Sequence, residues 1–155
     1  MPSSTLSTGR RYIVRSSTIH GRGVFASADI PKGTRLMEYR GERISHREAD
    51  RRYAMEHEHS PHTMLFAVDD RVVIDATHRG NSARYINHSC RPNCEAVNEE
   101  GRIFIESTKK IEAGAEITYD YNLVLDERHT PAVKRVHACF CGARRCRGTL
   151  LGSKR

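Results

Sequence analysis

The sequence has no apolar run that approaches the 18 residues of a membrane-spanning helix. Residues 1–11 are polar and rich in Ser and Thr, without the apolar stretch of a secretory signal. Internal repeats are absent as well, which excludes solenoid and other repeat architectures. With 155 residues, the chain can form one domain with its own hydrophobic core. We therefore expect a single, monomeric domain in the cytosol or the nucleus, without membrane partners.

Cysteine is scarce, with five residues in the chain. In a compartment that keeps thiols reduced, five cysteines indicate a metal site and one spare thiol better than disulfides. Three of them form C-x-C-x4-C at Cys139, Cys141 and Cys146, a spacing that can hold one soft cation such as Zn²⁺. This segment does not supply the fourth ligand. The candidates for it are Cys90, Cys94 and a histidine such as His137.

Acidic residues are missing from residues 128–155, which hold eight Lys or Arg and no Asp or Glu. Residues 94–127, in contrast, hold nine acidic and three basic side chains. Both runs can be ordinary solvated surface. Alternatively, the acidic segment receives a basic peptide and the basic C-terminal tail contacts nucleic-acid phosphates.

Helical periodicity is rare in the sequence, and short apolar segments separated by turn residues predict a mainly β domain of small sheets. The predicted strands lie at 12–14, 24–26, 35–39, 64–68, 71–74, 95–97, 102–106 and 117–121. Capping-box spacing at residues 45–48 predicts one helix that runs to about Glu58 and ends before Pro61. Residues 123–136 show no clear period and are predicted to be a mobile connector, and residues 1–10 to be disordered.

Residues 84–93, RYINHSCRPN, are too polar to predict a strand and too apolar to predict a floppy loop. Within them, Asn87 and His88 lie side by side and offer hydrogen-bond donors and acceptors in both directions. Taken alone, such a pair could simply satisfy a buried turn.

The same ten residues closely resemble the signature of the SET domain, a family of protein lysine methyltransferases. Four other segments resemble SET motifs in the same order: STIHGRGVF at 17–25, EYRGE at 38–42, GAEITYDY at 114–121 and the cysteine segment at 139–146. They correspond to the first cofactor-binding motif, the strand after it, the catalytic strand and the post-SET zinc motif. Asp75-Ala76-Thr77 and Gly80-Asn81 add a resemblance to the trithorax and mixed-lineage-leukaemia group.

The resemblance implies a SET fold of several small β-sheets around a knot-like core, with one short inserted helix. It places the SET domain at 11–122, a connector at 123–137, and the post-SET zinc motif with the basic tail at 138–155. In the family, the signature strand passes under the loop that carries the catalytic tyrosine.

The resemblance also implies a protein lysine N-methyltransferase that uses S-adenosylmethionine and acts on a basic peptide such as a histone tail. Tyr121 matches the catalytic tyrosine, and Tyr119 matches the residue that limits the number of methyl groups, which predicts mainly monomethylation. Tyr39 and Tyr85 are expected to line the substrate channel. The residues expected at the cofactor are His20, Gly21, Arg22, Gly23, Tyr53, Arg84, Asn87, His88 and Phe140. The expected ligands of one structural zinc ion are Cys90, Cys139, Cys141 and Cys146.

The main alternative is a SET-like scaffold without activity that binds a peptide or nucleic acid. Retention of Asn87, His88 and Tyr121 favours the enzyme, and a basic zinc-ribbon protein would leave residues 84–93 unexplained. We expect the enzyme in the cytoplasm if it is bacterial, and in the nucleus or on chromosomes if it is eukaryotic or delivered to a host.

Overall fold

A computed structural model describes residues 11–53, 64–122 and 128–152. These ranges contain ten strands: β1 (Tyr12–Ser16), β2 (Arg22–Ala26), β3 (Arg35–Glu38), β4 (Glu42–Ile44), β5 (Leu65–Ala67), β6 (Val73–Asp75), β7 (Asn87–His88), β8 (Cys94–Glu99), β9 (Arg102–Ser107) and β10 (Glu116–Tyr119). They also contain α1 (His46–Tyr53), a 3₁₀ helix (Ser82–Tyr85) and α2 (Pro131–Val136). The predicted mainly β architecture is confirmed.

Three small sheets make up the domain, with strand orders β1-β2-β10-β7, β3-β9-β8 and β4-β6-β5. All their strand pairs are antiparallel except β7 with β10, where Asn87 lies opposite Thr118 and His88 opposite Tyr119. The signature strand β7 and the strand β10, which lies in the GAEITYDY motif, are therefore direct neighbours.

Branched aliphatic side chains from all three sheets meet in one core. Ile117 of β10, Ile105 of β9 and Ile74 of β6 are at most 1% exposed. Tyr39 and Tyr119 belong to the same buried cluster. The aromatic side chains of the predicted site are thus held by the core, which limits their freedom to change rotamer.

The strands predicted at 95–97 and 102–106 form as β8 and β9, and the turn between them is shorter than the four residues that those ranges leave. Glu99 already pairs with Arg102, so Glu100 and Gly101 alone form the loop. Their φ angles of 54° and 86° are those of a two-residue turn with two left-handed positions, which matches the twist of the strands.

The inserted helix begins as its capping sequence predicts. The Glu48 N–H donates to Ser45 Oγ at 3.0 Å, which satisfies one of the free amides of the first turn. The described part of α1 ends at Tyr53, and the predicted continuation to Glu58 lies outside the described residues. No helix in the described ranges is long and apolar enough to cross a membrane.

The strand β4 was not predicted from the sequence, and two further segments differ from the sequence-based expectation. Residues 87–88 form a strand despite their polarity, because the parallel neighbour β10 provides partners for the backbone. The segment predicted to be an unstructured connector contains α2, where Thr130 Oγ1 accepts the Val133 N–H at 3.2 Å and Pro131 occupies the first turn. This cap and this proline position favour helix initiation even in a short polar segment. Residues 1–10, 123–127 and 153–155 of the predicted disordered, connector and tail segments lie outside the described residues.

Candidate active site

Four aromatic rings form a continuous cluster at the end of β10. Tyr39 lies 5.3 Å from Phe66, Phe66 lies 6.3 Å from Tyr119, and Tyr119 lies 5.0 Å from Tyr121, all between ring centroids. Three of these residues were predicted from the sequence, and Phe66 was not. The cluster provides apolar walls with hydroxyl groups at three positions, which suits a narrow channel for an aliphatic side chain with a polar end.

The hydroxyl group of Tyr121 donates a hydrogen bond to the carbonyl oxygen of Ile86 at 2.5 Å. Burial raises the pKa of Tyr121, and the neighbouring Tyr39 and Glu116 raise it further. The phenol therefore stays protonated at physiological pH. Because its proton is used by Ile86, its oxygen lone pairs remain available to accept a hydrogen bond from another group.

The ring of His88 lies between the backbone of Tyr121, after β10, and the thiol of Cys90. Its Nδ1 accepts the backbone N–H of Tyr121 at 3.0 Å, so in the neutral ring the proton lies on Nε2. Nε2 is 3.3 Å from Cys90 Sγ and can donate to that sulfur. His88 is 2% exposed. Both ring nitrogens are thus engaged inside the protein, and direct contact of this side chain with a cofactor stays a prediction.

The side-chain amide of Asn87 holds the first glycine-containing motif. Its Nδ2 donates to the carbonyl oxygens of His20 at 3.1 Å and Arg22 at 3.0 Å, and to Glu116 Oε2 at 2.8 Å. A Cβ atom on Gly23 would lie 2.2 Å from the same Glu116 oxygen, so this position cannot take a side chain without moving the carboxylate. Two predicted cofactor motifs, distant in sequence, are therefore in contact.

Tyr85 lies beside the arginines of these motifs. Its ring is 4.8 Å from the guanidinium carbon of Arg84 and 5.9 Å from that of Arg22, and its hydroxyl accepts from Arg84 Nη2 at 2.8 Å. These contacts place Tyr85 with the predicted cofactor residues and not with the four-ring cluster, so a role in the substrate channel stays a prediction. The Nε atom of Arg84 is buried and has no hydrogen-bond partner in the described residues, which is a feature of a site built for a further ligand.

Tyr53, also predicted at the cofactor, is bound to the fully buried Asp75. Its hydroxyl donates to Asp75 Oδ2 at 2.6 Å, and Arg52 Nη1 donates to the same oxygen at 3.1 Å. Burial raises the pKa of Asp75, but hydrogen bonds from Tyr53, Thr77 and Arg52 outweigh this effect and keep the pKa below its usual value. These bonds attach α1 to β6, and a cofactor contact of Tyr53 stays a prediction.

Four cysteine sulfurs, from Cys90, Cys139, Cys141 and Cys146, lie within 4.8 Å of one another. The Sγ atom of Cys90 is 3.8 Å from that of Cys139 and 3.9 Å from that of Cys146. A tetrahedral Zn²⁺ site with bonds of about 2.3 Å places its sulfurs about 3.8 Å apart, so the four residues fit this ion.

Backbone amides surround these sulfurs in the manner of a thiolate site. The Arg147 N–H is 3.2 Å from Cys90 Sγ, the Gly148 N–H 3.3 Å from Cys146 Sγ, and the Ala143 N–H 3.5 Å from Cys141 Sγ. Burial raises the pKa of Cys141, but the amides of Cys90 and Ala143 outweigh it and lower the pKa to about 6. Such outer hydrogen bonds favour the anionic ligands that a metal needs.

The other two candidates for the fourth ligand lie elsewhere. Cys94 is 1% exposed in the hydrophobic core, where burial raises the pKa of its thiol to about 12. His137 is buried, with Nδ1 3.1 Å from the Val133 carbonyl oxygen of α2.

Phe140, between two of the clustered cysteines, is 70% exposed. An apolar ring so exposed beside the site is available to cover a ligand.

Three of the nine acidic residues of the segment predicted to bind a basic peptide form ion pairs within the protein. Arg35 forms ion pairs with both Glu99 and Glu106, each at 2.7 Å. Asp120 pairs with Arg147 at 2.6 Å. The surface around residues 94–120 is therefore less acidic than its composition suggests.

Sequence reasoning missed Phe66, Glu116 and the Asp120–Arg147 pair. Phe66 is one of several apolar residues in a short strand, and only its pairing opposite Ile74 selects it for the site. Glu116 lies in the matched catalytic motif, but its bonds to Ser17 and Asn87 join segments far apart in sequence. No local pattern indicates such partners.

The comparisons with known proteins agree with this geometry. A family model described as "SET domain" matches residues 21–122. The chain is 40% identical over 135 residues to "Histone-lysine N-methyltransferase trithorax" of Drosophila virilis, covering 84% of this chain and 3% of that protein. It is 41% identical over 136 residues to "Histone-lysine N-methyltransferase, H3 lysine-4 specific" of Mycosarcoma maydis, covering 84% of this chain and 9% of the relative.

A solved structure, "Humanized mutant of the Chaetomium thermophilum Polycomb Repressive Complex 2 bound to the inhibitor GSK126", contains a similar chain with a TM-score of 0.63 and 33% sequence identity. The similarity covers 74% of this chain and 15% of that chain. The chain thus spans less than a tenth of the length of the two curated relatives described above. The predicted resemblance to SET domains, including the trithorax group, is confirmed.

Proposed function

The chain belongs to the SET-domain family, and from that premise we propose that it transfers a methyl group from S-adenosylmethionine to a lysine of a basic protein. The observation that carries this proposal is the parallel pairing of β7 with β10. It brings two residues of the signature next to Tyr119 and Tyr121 of the aromatic cluster: Asn87, whose amide binds the predicted cofactor loop, and His88. The proposed cofactor pocket and the proposed lysine channel thus meet at two short strands.

The bound cofactor would supply an electrophilic methyl group on a sulfonium, which an amine displaces in line. The protein must then align the amine, exclude water and favour its neutral form. Free lysine has a pKa of about 10.4, so only about 0.04% is neutral at pH 7. The rings of Tyr39, Phe66 and Tyr119 would desolvate the amine, which lowers its pKa.

Tyr121 is the proposed catalytic residue, and its proposed role is to orient the amine of the substrate lysine. Its own proton is held by the Ile86 carbonyl, so its oxygen can accept one N–H of the substrate amine. That bond would fix the nitrogen so that its lone pair faces the methyl group. The raised pKa of Tyr121, caused first by burial, keeps the phenol neutral, so it acts as a hydrogen-bonding group and not as a base.

The residues near the first motif fit a cofactor with an adenine ring and a carboxylate. Gly21 has a φ of 47°, and a Cβ atom there would meet nothing within 4 Å, so the loop leaves open space. The arginines Arg22 and Arg84 supply positive charge, and the unpartnered Nε of Arg84 can donate a further bond. Phe140, highly exposed, can pack on an adenine ring.

We propose one structural Zn²⁺ ion at Cys90, Cys139, Cys141 and Cys146, on the basis of the sulfur separations given above. Cys90 belongs to the signature and the other three to the post-SET motif. The ion would therefore fix the C-terminal segment, with Phe140, beside the proposed cofactor pocket.

A histone tail is the proposed substrate, because both curated relatives described above are named histone-lysine methyltransferases, one of them specific for H3 lysine 4. Both relatives come from eukaryotes, which favours a nuclear or chromosomal location over the bacterial alternative. The basic residues 128–155 are proposed to contact nucleic-acid phosphates near such a substrate. With Tyr119 in the channel, we propose mainly monomethylation.

The test is incubation of the purified chain with radiolabelled S-adenosylmethionine and core histones, using Tyr121→Phe and the control Tyr12→Phe. We expect transfer by the wild type and the control, and a loss of at least about 10²-fold in turnover in Tyr121→Phe with cofactor affinity retained. Absence of transfer to histones and to other basic proteins would favour the scaffold without activity. Near-normal turnover of Tyr121→Phe would remove the proposed role of that residue.

A further inference from the structure

Arg147 connects the proposed zinc segment to the catalytic strand through two different groups. Its backbone N–H is 3.2 Å from Cys90 Sγ. Its guanidinium binds Asp120 with both terminal nitrogens, at 2.6 Å and 3.0 Å. Asp120 lies between Tyr119 and Tyr121. A single residue therefore contacts a cysteine of the metal cluster and the neighbour of the catalytic tyrosine.

These contacts complete a closed ring of bonds. Tyr121 donates its N–H to His88, His88 Nε2 lies against Cys90 Sγ, and Arg147 returns from Cys90 to Asp120. The ring joins β10, β7 and the C-terminal segment. Apart from the cysteine sulfurs, Arg147 is the member of this ring that joins the C-terminal segment to the residues after β10.

The Asp120–Arg147 pair has the geometry of a strong ion pair. Both side chains are about one third exposed, so water screens the pair only in part. The pair is bidentate, which adds a preferred orientation to the electrostatic attraction. Asp120 Oδ1 also accepts the Asn122 N–H at 2.8 Å, and this second bond limits rotation of the carboxylate.

We propose that Arg147 is a positioning residue that orients the C-terminal segment, and Phe140 within it, over the cofactor pocket. The inference rests on the proposed methyltransferase function, but it concerns a residue that none of the motif matches assigns. The sulfur cluster and the buried side chains of Leu150 and Leu151 hold the segment together locally. The guanidinium of Arg147 sets the orientation of this segment relative to β10.

The segment should keep its fold without the guanidinium. The Cys139 N–H bonds to the Gly148 carbonyl at 3.1 Å, and the Leu150 N–H to the His137 carbonyl at 2.8 Å. Arg147→Met keeps the backbone N–H at Cys90 and most of the side-chain length, and it removes only the pair with Asp120. Arg147→Lys keeps the charge but loses the bidentate geometry. Arg145→Met, an exposed arginine of the same segment, is the matched control.

The experiment measures affinity for S-adenosylmethionine by calorimetry, zinc content by elemental analysis, and kinetics on a histone peptide. We expect Arg147→Met to weaken cofactor binding by about fivefold or more with one zinc per chain retained, Arg147→Lys to recover part of the affinity, and Arg145→Met to equal the wild type. Asp120→Asn removes the carboxylate charge and so breaks the same ion pair. The double variant Asp120→Asn with Arg147→Met should therefore bind S-adenosylmethionine as tightly as the single variant with the lower affinity.

Cofactor affinity of Arg147→Met equal to that of the wild type would overturn the proposal. The proposal would also fail if the fold-losses in cofactor affinity of Asp120→Asn and Arg147→Met multiplied in the double variant. Loss of zinc from Arg147→Met would overturn it as well, since Arg147 would then support the zinc site and not the orientation of the segment. If the wild type binds cofactor but transfers no methyl group, the proposed function fails, while the calorimetric comparison still decides the role of Arg147.

Discussion

Tyr119→Phe should shift the product of the proposed methyltransferase from mainly monomethyl-lysine toward di- and trimethyl-lysine. Tyr119 is 6% exposed, and its ring lies between those of Phe66 and Tyr121. The change removes one hydroxyl and leaves these ring contacts in place, so the fold and the first methylation should be preserved. Burial, with Tyr39 and Tyr121 nearby, raises the pKa of Tyr119, so its hydroxyl is protonated across the assay range.

The expected magnitude comes from the water that this hydroxyl can hold near the lysine amine. A second methyl group requires that the amine rotates and that the water leaves. Expelling the water without replacing its hydrogen bonds costs about 1–3 kcal/mol, which slows the second transfer by roughly 5- to 150-fold. Replacing the hydroxyl by hydrogen removes this barrier and adds space for a methyl group.

Mass spectrometry of a histone H3 peptide at long reaction times measures the outcome. The wild type and the control Tyr12→Phe should accumulate monomethyl-lysine, and Tyr119→Phe should continue to the higher states. Abundant trimethyl-lysine from the wild type would refute the reasoning and would mean that other residues set the width of the channel.

The remaining predictions concern the metal and stability. Elemental analysis should find one zinc per chain in Cys94→Ser and no zinc in Cys90→Ser. Loss of zinc from Cys94→Ser would show that Cys94, and not Cys90, is the fourth ligand. Gly80→Ala should lower the melting temperature by about 4 °C or more, because its Cβ would lie 2.0 Å from the Ala76 carbonyl oxygen, and an unchanged value would contradict this contact. The lowered pKa of Asp75 means that its carboxylate stabilises the fold above the unfolded-state pKa of about 4 and that this contribution is lost as pH falls further. In melting curves between pH 7 and pH 3, the melting temperature of the wild type should exceed that of Asp75→Asn at neutral pH, and this excess should shrink in acid. A difference in melting temperature that stays constant with pH would contradict the assignment.

The sequence predicts the strands of this domain well where a local pattern determines them. The strands β8 and β9 lie where short apolar segments at 95–97 and 102–106 predict them, and the start of α1 follows from the cap at Ser45. These signals depend on residues within a few positions of each other, so they can be recognised without knowledge of the fold.

The parts that could not be predicted depend on partners far away in the chain. Residues 87–88 form a strand only because β10, about 30 residues later, lies beside them. Motif resemblance named Tyr85 as a channel residue, but only the fold brings its ring to Arg84 and Arg22. The spacing of the cysteines left Cys90, Cys94 and His137 open as the fourth ligand, and the three-dimensional arrangement brings Cys90 to the other three sulfurs.

The short strands at the site need support beyond their own ladders. β7 has two residues and β10 has four, too few backbone bonds to fix the catalytic groups. Asparagine side chains supply the additional bonds. Asn93 accepts the Thr118 N–H at 2.9 Å and donates to the Glu116 carbonyl at 2.8 Å, so its amide acts as an extra peptide unit beside β10. Asn87 supports the first motif by donating to the His20 and Arg22 carbonyls.

An asparagine amide can play this part because it has a donor and an acceptor in the same geometry as the backbone. An aspartate of nearly equal size offers acceptors only, and a leucine offers neither. The polarity that makes RYINHSCRPN an unlikely strand by propensity is therefore what allows it to organise one. Its asparagines replace the backbone neighbours that such short strands lack, and its histidine and cysteine extend the same support to the C-terminal segment.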